Sequence, residues 1–174
     1  IKSPKKLDAL SLNTPAYENI TIDSISTFDK NNFAQMQCKS TQKLLESHGV
    51  YADSVNYSVS NASSSGSVIC ISSCSEKSFI GSDALANGNI STEQLAISSS
   101  KKFLFEYNSN CTIDHHLADM VIPLLSLSKE PSVFLTSSVS SHLQTNLKIS
   151  KLLTGMTYKI SKKNQSCYVV NINP

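Results

Sequence analysis

Short apolar runs of strand length, set between segments of helical periodicity, most constrain the fold of this chain. Three of them, at residues 67–72, 103–107 and 168–172, are almost continuously apolar, which is typical of strands buried on both faces. Alternation at residues 20–25 predicts another strand, and "PSVFLTSS" is either a strand or a buried loop. Strands that alternate with helices predict an α/β fold, with a central sheet and helices on both of its faces.

Three segments carry apolar residues at helical spacing. Residues 27–47 predict the first helix, with Asp29 or Asn31 as its N-cap and the His48-Gly49 pair at its C-terminal end.

The second predicted helix covers residues 113–127, and Pro123 is expected to kink it. Residues 147–156 predict a short basic amphipathic helix. Polar and turn-forming residues dominate the two remaining segments. Residues 50–66 are therefore expected to form a long loop, and residues 74–100 a loop excursion.

Length and composition narrow the class of protein. The 174 residues fit one domain over 1–174, with residues 1–18 as an N-terminal extension. No window approaches 18 uninterrupted apolar residues, which predicts no membrane span. The net charge of +2 is too small to imply a nucleic-acid surface by itself, so no nucleic-acid partner is expected. All fifteen cations are lysine, so any site that needs the planar fork of arginine is absent.

Familiar site motifs are missing from the sequence. Neither G-x-x-x-x-G-K-[ST] nor G-x-G-x-x-G occurs, so no phosphate cradle and no cofactor are predicted. The five cysteines are widely spaced without a CxxC pair, and they predict reduced, mostly buried thiols instead of a zinc site. His115 and His116 are adjacent, so their imidazoles are expected to diverge on a helix and hold no metal.

One enzymatic alternative rests on Tyr158 and Lys162. These residues match the Y-x-x-x-K of short-chain dehydrogenases, and "SVFLTSS" resembles the strand that carries the catalytic serine of that family. In the family a long helix separates the lysine from the next strand, whereas here "CYVV" begins after four residues. A structural interaction module that binds neither nucleotide nor tubulin is a third possibility.

The C-terminal segment resembles the motor domain of kinesins. "LKISKLLTGMTYKISKKNQSCYVVNINP" is similar, without a gap, to the kinesin segment that reads [FY]-R-N-S-K-L-T and ends in [IV]-S-P. Upstream, "IDHHLADMVIPLLSL" resembles the kinesin helix I-N-K-S-L-x-x-L-G. The resemblance covers residues 19–174 and implies a three-layer kinesin fold, in which helices flank a central, mostly parallel sheet. The P-loop part of that fold lies outside the segment that matches.

The resemblance extends to the two nucleotide switches of kinesins. The first switch, N-x-x-S-S-R-S-H, and the second, D-L-A-G-S-E, match a degenerate set of residues: Asn61, Ser64, Ser65, Ser67, Glu106 and Ser109. Gly66 stands in place of the switch arginine and Cys111 in place of the switch glutamate. Because that ion pair closes the site around ATP in an active kinesin, the resemblance implies that this chain neither binds nor hydrolyses ATP and is no enzyme.

A kinesin scaffold without working switches is similar to the non-catalytic subunits of fungal kinesin-14 heterodimers. The resemblance then implies a microtubule-binding subunit that partners a catalytic kinesin-14 heavy chain through a coiled coil. It also implies a location in the cytoplasm or nucleus, on spindle microtubules or at the spindle pole. The residues that match the microtubule face are Lys148, Lys151, His115 and His116. Tubulin is acidic, so exposed lysines opposite it would supply attraction that salt screens.

Overall fold

The computed structural model describes residues 7–27, 32–86 and 90–174, and in it the backbone forms two compact units. The four-stranded unit comprises residues 17–108. The three-stranded unit comprises residues 109–174 together with the segment up to Ala16. Each unit combines helices with one sheet, so the predicted α/β class is confirmed. The narrower division into one domain with an extension at residues 1–18 stays a prediction.

The described residues of the four-stranded unit form four strands and two helices. In chain order they are β1 (Thr21–Ser26), α1 (Phe33–Glu46), β2 (Ser54–Val59), β3 (Ser67–Cys74), β4 (Phe79–Ala86) and α2 (Thr92–Ser109). The sheet order is β2-β1-β3-β4, in which β1 and β2 are parallel and the other neighbouring pairs are antiparallel.

The three-stranded unit contains two helices and a fully antiparallel sheet. Its elements are α3 (His115–Leu125), β5 (Ser132–Thr136), α4 (Ser141–Thr154), β6 (Thr157–Asn164) and β7 (Cys167–Asn173). The sheet order is β5-β7-β6. Gly155 closes α4 with a φ of 81°, a backbone conformation that glycine adopts without strain.

Alternate residues of the central strand β3 build the core of the four-stranded unit. Ile69 and Ile71 are fully buried, and they belong to one apolar cluster with Ile22 of β1, Leu45 of α1 and Phe103 of α2. The period of two places Cys70 and Cys74 on the opposite face, where both are exposed. That face of β3 is therefore open to solvent, which corrects the expectation of a strand buried on both faces.

The local patterns predicted several elements correctly. Strands at β1, β3 and β7 and helices at α1, α3 and α4 lie where the sequence predicts them. The segment "PSVFLTSS" contains β5, a strand instead of a buried loop. The two residues expected to cap α1, Asp29 and Asn31, lie outside the described residues.

Three local predictions are wrong, each for a physical reason. The predicted loop at residues 50–66 contains β2, whose side chains are half or fully exposed and therefore show no apolar alternation. Its pairing with β1 defines the strand. The predicted excursion at residues 74–100 contains β4 and the first half of α2.

The third error concerns residues 103–107, which belong to helix α2 and not to a strand. Buried positions Leu95, Ser99 and Phe103 recur every four residues, a helical spacing that five residues alone cannot show. The single, mostly parallel sheet of a kinesin is not present either. Two separate sheets occur, and β1–β2 is the parallel pair of strands among the described residues.

No helix in the described part of the chain is long and apolar enough to cross a membrane. The same residues contain no group of three or more His, Cys, Asp or Glu side chains that could hold a metal ion.

Shortening one buried side chain of β3 tests how much this core stabilises the fold. Ile71→Ala removes a fully buried side chain from β3, and we expect it to lower the free energy of unfolding by about 2–5 kcal/mol, because lost burial and a residual cavity add. Leu85→Ala on the neighbouring strand is the matched control, since Leu85 is 63% exposed. Urea denaturation followed by circular dichroism measures both variants. Equal effects for the two would contradict the assignment of the core.

Cys38 lies in this core, where its thiol is buried. Burial raises the pKa of the Cys38 thiol to about 11, and the nearby Asp23 carboxylate adds to the shift. Its Sγ donates a hydrogen bond to the backbone oxygen of Asn56 at 3.3 Å. Because the thiolate is the nucleophile, we expect Cys38 to resist alkylation at pH 8 in the native protein, whereas the exposed Cys74 reacts. Mass spectrometry after a timed iodoacetamide pulse distinguishes the two sites. Equal labelling rates in the native state would contradict this environment.

Candidate functional site

The start of α3 and the end of β5 lie side by side in the three-stranded unit. Thr112 and Ile113 donate their backbone N–H groups to the Leu135 oxygen, both at 3.0 Å, and Leu135 N–H donates to Thr112 Oγ1 at 2.8 Å. A parallel bridge joins Ile113 to Thr136. These contacts bring residues 111–116 next to the segment that leads from β5 into α4.

Two histidines occupy the first positions of α3. Asp114 is the N-cap, and its Oδ1 accepts the N–H of Leu117 at 2.8 Å. His115 is half-buried and His116 is exposed. Their ring centroids lie 3.9 Å apart with the planes tilted by 38°. The expectation that the two imidazoles diverge is therefore wrong, because the rings lie against each other at the helix start.

The start of α4 is hydrogen-bonded to Asp119 of α3. Ser140 is the N-cap of α4. Its Oγ accepts the N–H of Leu143 at 2.9 Å and donates to Asp119 Oδ1 at 2.7 Å. Asn146 Nδ2 donates to the backbone oxygen of Asp119, also at 2.7 Å. The exposed His142 lies in the first turn of α4. Three of the four histidines of the chain therefore lie at two helix starts within one unit.

Buried hydroxyl groups lie between these helix starts in the sequence. Thr136 and Ser137 are 0% and 4% exposed, and among the described residues their side-chain oxygens have no hydrogen-bond partner. Buried polar groups are nearly always hydrogen-bonded in native proteins, so such hydroxyls are candidates for binding a ligand. We define the α3–α4 site as residues 111–116 and 135–142.

The α3–α4 site contains groups that can bind an anion, and the carboxylates of Asp114 and Asp119 lie at the same two helix starts. The N-terminus of a helix presents backbone N–H groups and a partial positive charge, which favour phosphate and carboxylate groups. Imidazole changes charge near neutral pH and can transfer protons or act as a nucleophile. The combination suits a phosphate group that is both held and chemically changed.

A known protein family matches most of this chain. The sequence model of the RNA 3'-terminal phosphate cyclase family matches residues 5–160, which include the whole α3–α4 site. The chain belongs to this family.

Individual relatives carry the same name as the family. The RNA 3'-terminal phosphate cyclase of Sulfurisphaera tokodaii is 33% identical over 98 residues, which are 56% of this chain and 28% of that protein. The enzyme of the same name from Saccharolobus solfataricus is 26% identical over 132 residues, 76% of this chain and 39% of that protein. The one from Nitrosospira multiformis is 26% identical over 98 residues. The chain thus spans well under half the length of these cyclases.

Membership of the cyclase family corrects the kinesin interpretation. The predicted microtubule-binding subunit, its kinesin-14 partner and the absence of enzymatic activity are contradicted, because the family and its relatives are named for a cyclase that acts on RNA. The expectation of no nucleic-acid partner is contradicted on the same ground. The predicted spindle location stays untested and had no basis other than that resemblance.

The predicted switch residues are spread over several elements. Asn61, Ser64 and Ser65 are exposed between β2 and β3, whereas Ser67 is buried in β3 and donates to Gln37 Oε1 at 2.8 Å. Glu106 and Ser109 are buried on α2. Their assignment as remnants of a nucleotide switch rested on the kinesin resemblance, and none of these contacts tests it.

The remaining predicted site residues lie in the three-stranded unit. Lys148 and Lys151 are exposed on α4, and His115 and His116 belong to the α3–α4 site.

The short-chain dehydrogenase alternative fails on geometry as well as on family. Tyr158 and Lys162 lie on strand β6, where residues four apart are separated by about 13 Å. On a helix the same pair would lie one turn apart and could share a proton. Lys162 instead extends over the ring of Tyr168, with its Nζ 6.0 Å from the centroid.

Sequence reasoning missed Asp119, Thr136, Ser137, Ser140 and His142. The available signal was local: Asp114 and Ser140 are both good N-cap residues, and each is followed by histidine within two positions. Two capped helices with a histidine in the first turn mark a pair of similar sites. The two helix starts come together through hydrogen bonds between residues more than twenty positions apart in the sequence, which a local pattern cannot show.

Removal of the α4 cap tests the link between the two helices. Ser140→Ala deletes the bonds to Leu143 and Asp119, and we expect it to lower the free energy of unfolding by about 1–2 kcal/mol. Ser141→Ala is the control, because Ser141 is exposed at the first helical position and should stay within about 0.5 kcal/mol of the parent. Urea titration measures both. A Ser140→Ala protein as stable as the Ser141→Ala protein would show that the cap has no structural role.

Proposed function

We propose that the protein is an RNA 3'-terminal phosphate cyclase and that the α3–α4 site contributes to its reaction centre. The observation that carries the proposal is the family match over residues 5–160, which spans both helix starts and all three histidines. The site adds chemical support, because it combines anion-binding helix ends, buried hydroxyls and imidazoles. The substrate class is RNA that ends in a 3'-phosphate, and the product is the cyclic phosphate formed with the neighbouring 2'-hydroxyl.

Ring closure makes three demands on an active site. The terminal phosphate must be held, the 2'-hydroxyl must lose a proton, and an oxygen of the phosphate must become a leaving group. Backbone N–H groups at the starts of α3 and α4, with the Thr136 and Ser137 hydroxyls, are suited to hold the phosphate. The imidazoles of His116 and His142 are both exposed and suited to proton transfer or to attack on phosphorus.

A phosphate oxygen is a poor leaving group, so it must first be linked to an activating group, with which it then departs as the ring closes. A nucleoside triphosphate can supply that group, with release of pyrophosphate or of a nucleoside diphosphate, so the assay includes one as a second substrate. The exposed lysines on α4, Lys148 and Lys151, suit contacts with the RNA backbone. Such contacts depend on charge and not on base sequence, and they weaken as salt rises.

Substitution of His116 tests the proposal. The protein at its natural length is incubated with a 3'-phosphorylated RNA and each nucleoside triphosphate in turn, and cyclic ends are scored by their resistance to phosphatase. We expect His116→Ala to lower the cyclisation rate by roughly 100-fold or more, the usual scale for a group that transfers protons. His48→Ala is the control, since His48 is an exposed histidine in the four-stranded unit and should leave the rate unchanged.

Two results would contradict the proposal in different ways. If the parent protein forms no cyclic ends with any triphosphate, the activity is wrong, even if it binds 3'-phosphorylated RNA more tightly than 3'-hydroxyl RNA. If the parent is active and His115→Ala, His116→Ala and His142→Ala each keep its rate, the activity stands and the α3–α4 site is wrong.

A further inference from the structure

Two buried cysteines of the three-stranded unit lie in direct contact. The Sγ atoms of Cys111 and Cys167 are 3.0 Å apart, and both residues are 0% exposed. They form a small buried cluster with Leu135, against which the half-buried Val169 packs. We propose that Cys111 and Cys167 are a redox modification site, which forms a reversible disulfide without rearrangement of the fold. This proposal does not rest on the function proposed above.

The geometry favours this pair. A disulfide holds its sulfur atoms about 2.05 Å apart, so the two thiols need to approach by about 1 Å. Cys111 directly precedes Thr112, which is anchored to Leu135, and Cys167 is the first residue of β7. Both backbones are therefore held in place before the bond forms, and little chain entropy remains to be lost in the native state.

The other cysteines do not offer an equivalent pair. Cys70 and Cys74 lie four residues apart on β3 and point to the same face, which separates them by about 13 Å. A disulfide requires Cα atoms less than about 7 Å apart, so these two cannot join while β3 is intact. Cys38 is buried on α1, where its Sγ donates to Asn56.

The turn before β7 offers a route for the oxidant. Residues 161–166 are exposed, and the register between β6 and β7 shifts at Lys162 and Asn164. Local opening of such a turn costs less than unfolding of the unit. The Cys167 thiolate then attacks a disulfide oxidant such as oxidised glutathione and releases one glutathione thiol. The Cys111 thiolate attacks the mixed disulfide at Cys167 and releases the second, so two thiols are oxidised while one disulfide is reduced.

A disulfide between Cys111 and Cys167 would restrict the unfolded chain over most of the three-stranded unit. Cys111 and Cys167 are 56 positions apart in the sequence, and the loop between them contains α3, β5, α4 and β6. A cross-link that closes a long loop removes much of the conformational freedom of the unfolded chain. Oxidation should therefore raise the thermal stability of the protein, and reduction should reverse the effect.

A variant without exposed cysteines allows a direct test. The double variant Cys70→Ser, Cys74→Ser retains three thiols. This variant is treated with oxidised glutathione in its native state, and the reaction is then quenched in acid. The protein is finally denatured and alkylated. We expect one alkylated cysteine, Cys38, and a peptide pair joined through Cys111 and Cys167. Tm should rise by at least about 5 °C and return to its original value with dithiothreitol.

A third substitution, Cys167→Ala, supplies the matched control and should show neither the joined peptides nor the rise in Tm. Should that control fail to fold, the peptide map of the parent variant still decides. Three alkylated thiols after native oxidation, a joined peptide that contains Cys38, or a bond that forms only after denaturation would each overturn the proposal.

Discussion

The hydrogen bonds between Thr112 and Leu135 are the contact on which the three-stranded unit depends. Leu135 donates its N–H to Thr112 Oγ1 and accepts the N–H groups of Thr112 and Ile113. Thr112 is fully buried, so loss of its hydroxyl would leave the Leu135 N–H without this partner inside the protein, which is costly. This one exchange sets the start of α3, places its histidines beside the end of β5, and positions Cys111 against Cys167.

Hydroxyl-rich segments of this chain serve two different purposes, which their sequence does not distinguish. Ser67 follows an exposed run of serines, yet in the structure it is a core residue. Gln37 Oε1 accepts bonds from Ser24 at 2.6 Å and from Ser67 at 2.8 Å, which satisfies both buried hydroxyls inside the four-stranded unit. Thr136 and Ser137 are as deeply buried but lack such an acceptor among the described residues. Thr41 and Ser100 of the four-stranded unit are also buried without a hydrogen-bond partner for the side-chain oxygen in the described part of the chain. It is therefore the position of Thr136 and Ser137 between two helix starts, and not the missing partner alone, that makes them candidate ligand groups.

The kinesin resemblance failed because its motifs were generic. An amphipathic helix with lysine and serine on its polar side, followed by a short apolar strand, occurs in many unrelated folds. The segment from Leu147 to Ile172 does contain a helix and two strands, so its local structure was consistent with the resemblance. The family match is stronger because it extends over residues 5–160 and includes segments with no kinesin-like motif.

The sequence alone predicts those helices and strands whose own side chains show a pattern of apolar residues. The apolar run at residues 67–72 predicts strand β3, and α1 buries Ala34, Cys38 and Leu45 on one helical face, so the existence of each element can be read from its own side chains. The exposed face of β3 could not be read in this way, because both of its faces carry apolar residues. Strand β2 could not be predicted, since its exposed side chains carry no pattern and its pairing with β1 alone defines it. Helix α2 was misread because its period becomes visible only over four turns.

The α3–α4 site and the thiol pair were decided by tertiary structure. The sequence supplies both helix caps and the histidines, but His116 is separated from Ser140 by 23 intervening residues. Cys111 and Cys167 are 56 positions apart. Local propensity acts over a few residues, whereas these groups meet only because backbone hydrogen bonds at Leu135 and antiparallel pairing of β5 with β7 bring distant segments together.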